Sequence, residues 1–396
     1  MNPDLNRLQP YPFEKLNSLF AKVTPNPTLR PISLSIGEPK HPAPEIVLDA
    51  LHKEIQKVSI YPSTKGLPEL RESISNWACK RFQLKSLDAE SQVLPVNGTR
   101  EALFAFTQAV IDRTKNALVI SPNPFYQIYE GASYLAGADL HLLPTLEENN
   151  FIPDYDSVPD EIWQRCQILF ICSPGNPTGA VTPLDTLKKL IALADKFDFV
   201  IASDECYSEI YCQEDHAPVG LLQACASLNR YDYSRCVVFH SLSKRSNLPG
   251  LRSGFVAGDA NIMASFLQYR TYHGSAMSVQ NQLASIAAWN DENHVLENRV
   301  AYRNKFKAVI DILSPVMDIK QTDASFYLWT ETTISDEKFA QGLFEQEHVT
   351  VLPGSYLSRT IDGLNPGKNR IRMALVASEA DCIEAAQRIK RFVSSL

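Results

Sequence analysis

No two of the eight cysteines form a C-x-x-C pair; they are scattered singly from Cys79 to Cys382. That pattern excludes the common zinc and dithiol motifs and reads as reduced thiols of a cytoplasmic protein. The eight histidines show no H-x-x-x-H or other ligand spacing, so no metal site is expected. No apolar run approaches the roughly 20 residues that a membrane-spanning helix needs. An excess of basic charge is missing too. A formal net charge of −7 argues against a broad nucleic-acid footprint. The opening MNPDLNRLQPYPFEK has neither the basic nor the apolar region of a secretory signal, and none is expected. Neither G-x-x-x-x-G-K-[ST] nor G-x-G-x-x-G occurs, which removes the usual nucleotide-binding motifs. No internal repeat or low-complexity tract stands out.

What the chain does contain is an alternation of strands and helices. Its 396 residues, 44% apolar and 21% charged, suit a globular protein of two or three domains. LPELRESISNWACKRF sets Leu67, Leu70, Ile74, Trp77 and Phe82 on one face, an amphipathic helix. SQVLPV precedes a helix expected from Thr99, and NALVIS precedes PNPFYQIY. QILFICS runs into PGNPTG and then a helix opened by Thr182 as N-cap with Pro183 at its first position. FDFVIAS runs into DECYSEIY, and CVVFHSLS into Lys244. Uninterrupted apolar strands between helices predict an α/β fold with a mostly parallel sheet covered on both faces.

The alternation weakens after about residue 290. A helical stretch, short strands at FYLWT and IRMALV and a final helix from Glu379 predict a second, smaller α+β domain. The first 45 residues are rich in proline and poor in helical periodicity, and are expected to form an arm over another surface. The expected division is an arm over 1–45, a large domain over 46–290 and a small domain over 291–396.

The unusual polar residues follow the carboxyl ends of the predicted strands, the edge at which open parallel sheets bind ligands. Asn97-Gly98-Thr99 stands at a strand-to-helix turn, where free N–H groups and the helix dipole favour a phosphate. Ser241, Ser243 and Arg252 would add donors to the same group. Lys244, beside Arg245 and Arg252, ends an apolar strand. Burial and neighbouring cations both lower an ammonium pKa and free a nucleophilic amine. An amine beside a phosphate cradle suits a phosphorylated aldehyde, and pyridoxal phosphate is the candidate. Its ring nitrogen calls for a carboxylate, supplied by Asp204. Its phenolic oxygen calls for donors, which Tyr207 and Asn176 would supply, and its ring for the aromatic face of Tyr126.

The segments SPGNPTG, SDECY and SLSKRSNLPGLRSG resemble the class I aminotransferases of the fold type I pyridoxal-phosphate enzymes. So do LSIGEPKHPAP and YPSTKGLPELRE near the start and VLPGSY and NRIRMALVAS near the end. The resemblance covers nearly the whole chain. Within the family, LQPYPFEKL, SIGEPKHP and FHSLSKRSNLPG are most similar to the branch that transaminates N-succinyl-LL-diaminopimelate in bacterial lysine biosynthesis. It implies that Lys244 carries the cofactor, Asp204 pairs with the pyridinium nitrogen, Tyr207 and Asn176 hold the phenolic oxygen and Tyr126 stacks on the ring. It further implies that Gly98, Thr99, Arg100, Ser241, with Ser243 as an alternative, and Arg252 cradle the phosphate. Tyr61 would reach the phosphate of a second subunit in a homodimer. Arg372 would grip the substrate α-carboxylate, with Asn176 nearby and the backbone at Gly37 closing the site.

Two other readings remain at this level. One keeps the cofactor but changes the reaction: an aminotransferase of aromatic or other amino acids, or a β-lyase. The other is a catalytically silent aminotransferase-like binding module, against which the intact site constellation weighs. A dicarboxylic donor such as glutamate needs a second cation, for which Arg30, Lys40, Arg270 and Lys368 are all candidates.

Overall fold

The computed structural model describes residues 1–396. Its strands are β1 (Ile32–Ser33), β2 (Val93–Val96), β3 (Leu118–Asn123), β4 (Asp139–Pro144), β5 (Cys166–Cys172), β6 (Val200–Asp204), β7 (Cys236–Ser241) and β8 (Gly254–Gly258). Four more follow: β9 (Tyr327–Glu331), β10 (Val349–Thr350), β11 (Leu352–Pro353) and β12 (Arg370–Ala374). Seven strands form one sheet in the order β2-β8-β7-β6-β5-β3-β4. Only β8 runs against the others. The sheet is therefore mostly parallel and lies between helices, as the apolar strands predict.

Two apolar cores lie on the two sides of this sheet. One packs Leu70, Ile74, Trp77 and Phe82 of the helix Pro68–Phe82 against Leu169, Ile201 and Val238. The other packs Leu103 and Phe106 of the helix Thr99–Val110 against Phe170, Phe239 and Val256. Each such buried side chain contributes about 1.5–3 kcal/mol, so the sheet is the rigid platform for whatever its edge carries. A third core gathers Ile32 and Leu34 with Phe306, Leu328, Ile371, Ile389 and Phe392. In it β11, β12 and β9 form an antiparallel sheet, and β1 pairs in parallel with β10.

Two local expectations need correction. The first 45 residues contain a regular helix, Pro12–Phe20, begun by a proline whose fixed φ suits that position and buried through Leu16. The helix after PGNPTG starts at Leu184 with Pro183 as its cap; Thr182 makes no cap bond and donates its N–H to Ser173 Oγ at 2.9 Å. Strands β4 and β8 carry weaker sequence signals: β4 is half-exposed, and β8 is the short GFVAG between two glycines. No helix is long and apolar enough to cross a membrane.

Candidate active site

A cavity of about 500 Å³ opens where β5, β6 and β7 end. It is lined by Gly37, Thr99, Arg100, Tyr126, Asn176, Asp204, Tyr207, Ser241, Ser243, Lys244, Arg252 and Arg372. Of the other expected residues, Gly98 lies directly behind Arg252, whose guanidinium fills the space a Cβ on Gly98 would take. Tyr61 does not line the cavity; it is fully exposed at the surface.

At the end of β7, Ser241 caps the short helix Leu242–Arg245 by accepting the Ser243 N–H at 3.1 Å. That turn aims Lys244 into the cavity, where Nζ donates to the carbonyl of Gly37. The ammonium lies 5.3 Å from the Phe326 ring centroid and 5.9 Å from that of Tyr207. Burial lowers its pKa to about 8, with Arg372 and Arg252 adding to the effect and Cys206 and Glu38 opposing it. A lysine in this state is partly neutral near physiological pH, as a nucleophilic amine requires.

Asp204 closes β6 and is 5% exposed. Its Oδ2 accepts from the Tyr129 hydroxyl at 2.7 Å and its Oδ1 from the Cys206 N–H at 3.3 Å. Burial raises its pKa despite those bonds. No Lys, Arg or His lies within salt-bridge distance of it, so a buried carboxylate faces the cavity without a cation. The phenol of Tyr207 is 3.0 Å from that of Tyr327. Burial holds Tyr207 well above its ordinary value, which keeps it a hydrogen-bond donor.

The expected anion cradle lies at the start of the helix Thr99–Val110. Gly98, at φ +84°, turns the chain from β2 into that helix. The first helical bond here runs from the Ala102 N–H to Gly98 O, leaving the N–H groups of Thr99 and Arg100 free. Arg252 leans over this turn, bonded to Asn97 O at 3.2 Å and Pro249 O at 2.9 Å. Thr99 Oγ1 lies 3.1 Å from Cys206 Sγ. The Arg100 side chain points elsewhere: it donates to the Tyr126 hydroxyl at 2.7 Å and to the Tyr11 hydroxyl at 3.2 Å.

Arg372, on β12, crosses from the small antiparallel sheet. It donates to Asn176 Oδ1 at 2.9 Å and to Ser35 O at 2.7 Å, over the face of Tyr327 at 4.4 Å. Its Nε is buried and has no partner. An unpaired buried guanidinium N–H is costly, and a ligand carboxylate would satisfy it in a bidentate pair. The cations considered for a second carboxylate do not line the cavity. Arg30 pairs with Asp381 at 2.6 Å and with Glu384. Arg270 is fully buried against Glu101. The cations that do line it are Lys244, Arg252, Arg372 and Arg100.

Several contributors were not foreseen from sequence. Tyr129 lies in the first turn of the helix Ile128–Leu135, three residues after Tyr126, and that closeness in the chain is an available signal. Tyr327, Tyr11 and the carbonyl of Ser35 carry no local signal, because each belongs to a segment distant in the chain, whereas the backbone at Gly37 is the one expected from the resemblance.

Free N–H groups at a helix start, a buried amine of lowered pKa, an unpaired buried carboxylate and an unsatisfied guanidinium are the groups that an anionic aldehyde cofactor and an amino acid would need. The sequence agrees. Residues 30–389 match the family model "Aminotransferase class I and II". The chain belongs to that family, whose members depend on pyridoxal phosphate. It is 32% identical over 393 residues to LL-diaminopimelate aminotransferase of Maridesulfovibrio salexigens, spanning 98% of this chain and 97% of that one. Among solved structures, an aminotransferase from Neisseria meningitidis is 48% identical, covers 98% of this chain and 99% of its own, and superposes with a TM-score of 0.94. Aminotransferase AspB from Helicobacter pylori is 35% identical, with a TM-score of 0.91 and coverage of 98% and 100%.

Proposed function

We propose that this chain moves an amino group between glutamate and the 2-oxo acid of N-succinyl-LL-diaminopimelate, as a cytoplasmic homodimer in lysine biosynthesis. The observation that carries the reading is the meeting of Lys244, Asp204 and Arg372 in one cavity. Pyridoxal phosphate, when bound, supplies an aldehyde carbon for the amino nitrogen and a ring that accepts the electron pair of a deprotonated α-carbon.

The chain's own residues do the rest. The N–H groups of Thr99 and Arg100, a serine hydroxyl and Arg252 hold the phosphate. Asp204 keeps the ring nitrogen protonated, and its charge is then paired instead of buried alone. Tyr207 and Asn176 donate to the phenolic oxygen. Arg372 turns its free Nε–H to the substrate α-carboxylate and so fixes which face of the α-carbon meets Lys244. The Lys244 amine is placed to remove the α-proton of the amino acid as a base in one half-reaction and, in its protonated form, to give a proton to the α-carbon of the new product in the other.

Two observations support an acidic substrate and a dimer. Arg100 is held at the cavity mouth by Nε and one amino group, leaving its other nitrogen for a distal carboxylate. Ile46, Ile55, Val58, Ile60 and Tyr61 are exposed together in one short stretch, an apolar surface suited to a second copy. The amino-terminal segments resemble the N-succinyl branch, while the curated relatives are named for LL-diaminopimelate itself. The free diamino acid is therefore the second reading.

A half-reaction screen separates the two. Purified enzyme is mixed with single amino acids while the visible cofactor band is followed. Rapid bleaching by glutamate and N-succinyl-LL-diaminopimelate, with little response to LL-diaminopimelate or aromatic donors, is expected. Bleaching by LL-diaminopimelate alone selects the second reading, and no response to either compound removes both.

A further inference from the structure

From Ser35 to Ala43 the chain makes no backbone–backbone hydrogen bond, and Pro39 and Pro42 have no N–H to give. Yet two carbonyls of this segment hold the working side chains. Ser35 O accepts from Arg372 and Gly37 O from Lys244. The upstream end is fixed at Leu34, which donates to Thr350 O at 2.8 Å and accepts from the Ala374 N–H at 2.7 Å. Downstream, the backbone is next held at Pro44, whose carbonyl accepts from the Val47 N–H at 2.9 Å where the helix Glu45–Glu54 begins, and between these two ends the side chain of His41 is bonded as well.

His41 Nδ1 lies 2.7 Å from Asn298 Oδ1, and its Nε2 lies 2.6 Å from Lys305 Nζ. A carbonyl oxygen only accepts and an ammonium only donates, so both partners demand the same neutral tautomer, protonated on Nδ1. Lys305 is 2% exposed and has no carboxylate partner; its other bond goes to Leu375 O at 3.3 Å. Burial lowers its pKa to about 8. Asn298 is held in turn by Asn247 Nδ2 at 3.0 Å, three residues beyond Lys244. The imidazole also packs 4.7 Å from the Tyr302 ring. Asn298, Tyr302 and Lys305 all belong to the helix Asn293–Leu313. His41 thus ties a segment without backbone bonds to a long helix and to the loop that follows Lys244.

We infer that His41, clamped between Asn298 and Lys305, is a positioning residue of this aminotransferase: it fixes residues 35–43 so that Ser35 O and Gly37 O hold Arg372 and Lys244 in working geometry. The inference rests on the roles proposed above for those two residues.

The test compares the cofactor-loaded enzyme with its His41→Ala, His41→Gln and Lys305→Met variants, measuring KM and kcat for glutamate. A glutamine offers one acceptor and one donor, as neutral histidine does, without titrating. With one positioning bond worth about 1.4 kcal/mol, His41→Ala is expected to raise KM about tenfold. On the same basis kcat should fall no more than about threefold, because carboxylate binding is loosened more than proton transfer. His41→Gln should return KM to within about threefold of the parent, and Lys305→Met should shift it as His41→Ala does. A parental KM in His41→Ala or in Lys305→Met overturns the inference, as does a glutamine variant no better than alanine. Should His41→Ala fail to fold, the other two variants decide by the same criteria. Lys244→Ala is run alongside: turnover in that variant removes the underlying reading, whereas its inactivity with a parental His41→Ala removes only the role of His41.

Discussion

The hydroxyl of Tyr129 donates to Asp204 Oδ2 at 2.7 Å while its ring stacks on Phe170 at 4.5 Å. The bond and the packing are separable. Tyr129→Phe keeps the stack and removes one donor from a carboxylate that burial already disfavours. A hydrogen bond to a charged group is worth about 1.5–3 kcal/mol. Cofactor retention is expected to weaken about ten- to hundred-fold, read as the dissociation constant of pyridoxal phosphate by equilibrium dialysis. An unchanged constant would show that Tyr129 does not tune Asp204.

The Lys244 amine gives a kinetic prediction with a definite sign. Only the neutral amine attacks an aldehyde, and burial has lowered the ammonium pKa to about 8. The rate at which cofactor-free protein captures pyridoxal phosphate should rise with pH, pass its midpoint near 8 and level off above it. A lysine at its ordinary value of about 10.4 would still be gaining rate above about pH 9. Stopped-flow absorbance between about pH 6.5 and 10 distinguishes the two, and a midpoint at the ordinary lysine value would contradict the buried site.

Arg372→Lys tests the unsatisfied Nε. A lysine keeps the charge but not the planar fork that holds a carboxylate bidentately. The lost geometry is expected to raise KM for glutamate by about 10²-fold with a smaller change in kcat, since a hydrogen bond to a charged group contributes about 1.5–3 kcal/mol. Steady-state kinetics with glutamate, set against an amine donor without a carboxylate, checks it. An equal loss on both donors would place Arg372 outside carboxylate recognition.

Gly98→Ala addresses the cradle. A Cβ there would crowd an Arg252 amino group, on a residue with φ +84° and ψ 155°. Non-glycine residues in this region cost about 1–3 kcal/mol, and Arg252 would have to move. Lower thermal stability together with weaker pyridoxal phosphate binding is expected, by thermal denaturation with and without cofactor. Normal cofactor binding in the variant would separate Gly98 and Arg252 from the phosphate.

Much of the site is readable along the chain because the chemistry sits on the sheet. Asn176, Asp204 and Lys244 each follow an apolar strand, and parallel strands end at one edge, so their meeting follows from the strand pattern alone. The helix at Pro68–Phe82 is likewise evident from its apolar periodicity. The helix at Pro12–Phe20 is less evident, since a proline-rich context masks nine helical residues whose burial is supplied by another part of the molecule. Which cation faces the cavity is hidden for the same reason. Arg270 and Arg100 look alike in sequence, but Glu101 buries the former while Tyr126 and Tyr11 hold the latter at the cavity mouth.

The order of residues along the chain is enough to set the alternation of strands and helices, the side chains at the sheet edge and the class of cofactor they suit. These rest on local periodicity and on a topology in which order along the chain dictates position. The resemblance places Arg372 and Gly37 at that edge, but the bonds by which the carboxyl-terminal sheet and the amino-terminal segment close it arise only from packing. Lys244 meets Gly37 across 207 residues, and Arg372 meets Ser35 across 337. Contacts of that span have no sequence period to betray them; they exist only once the separate cores have formed and packed.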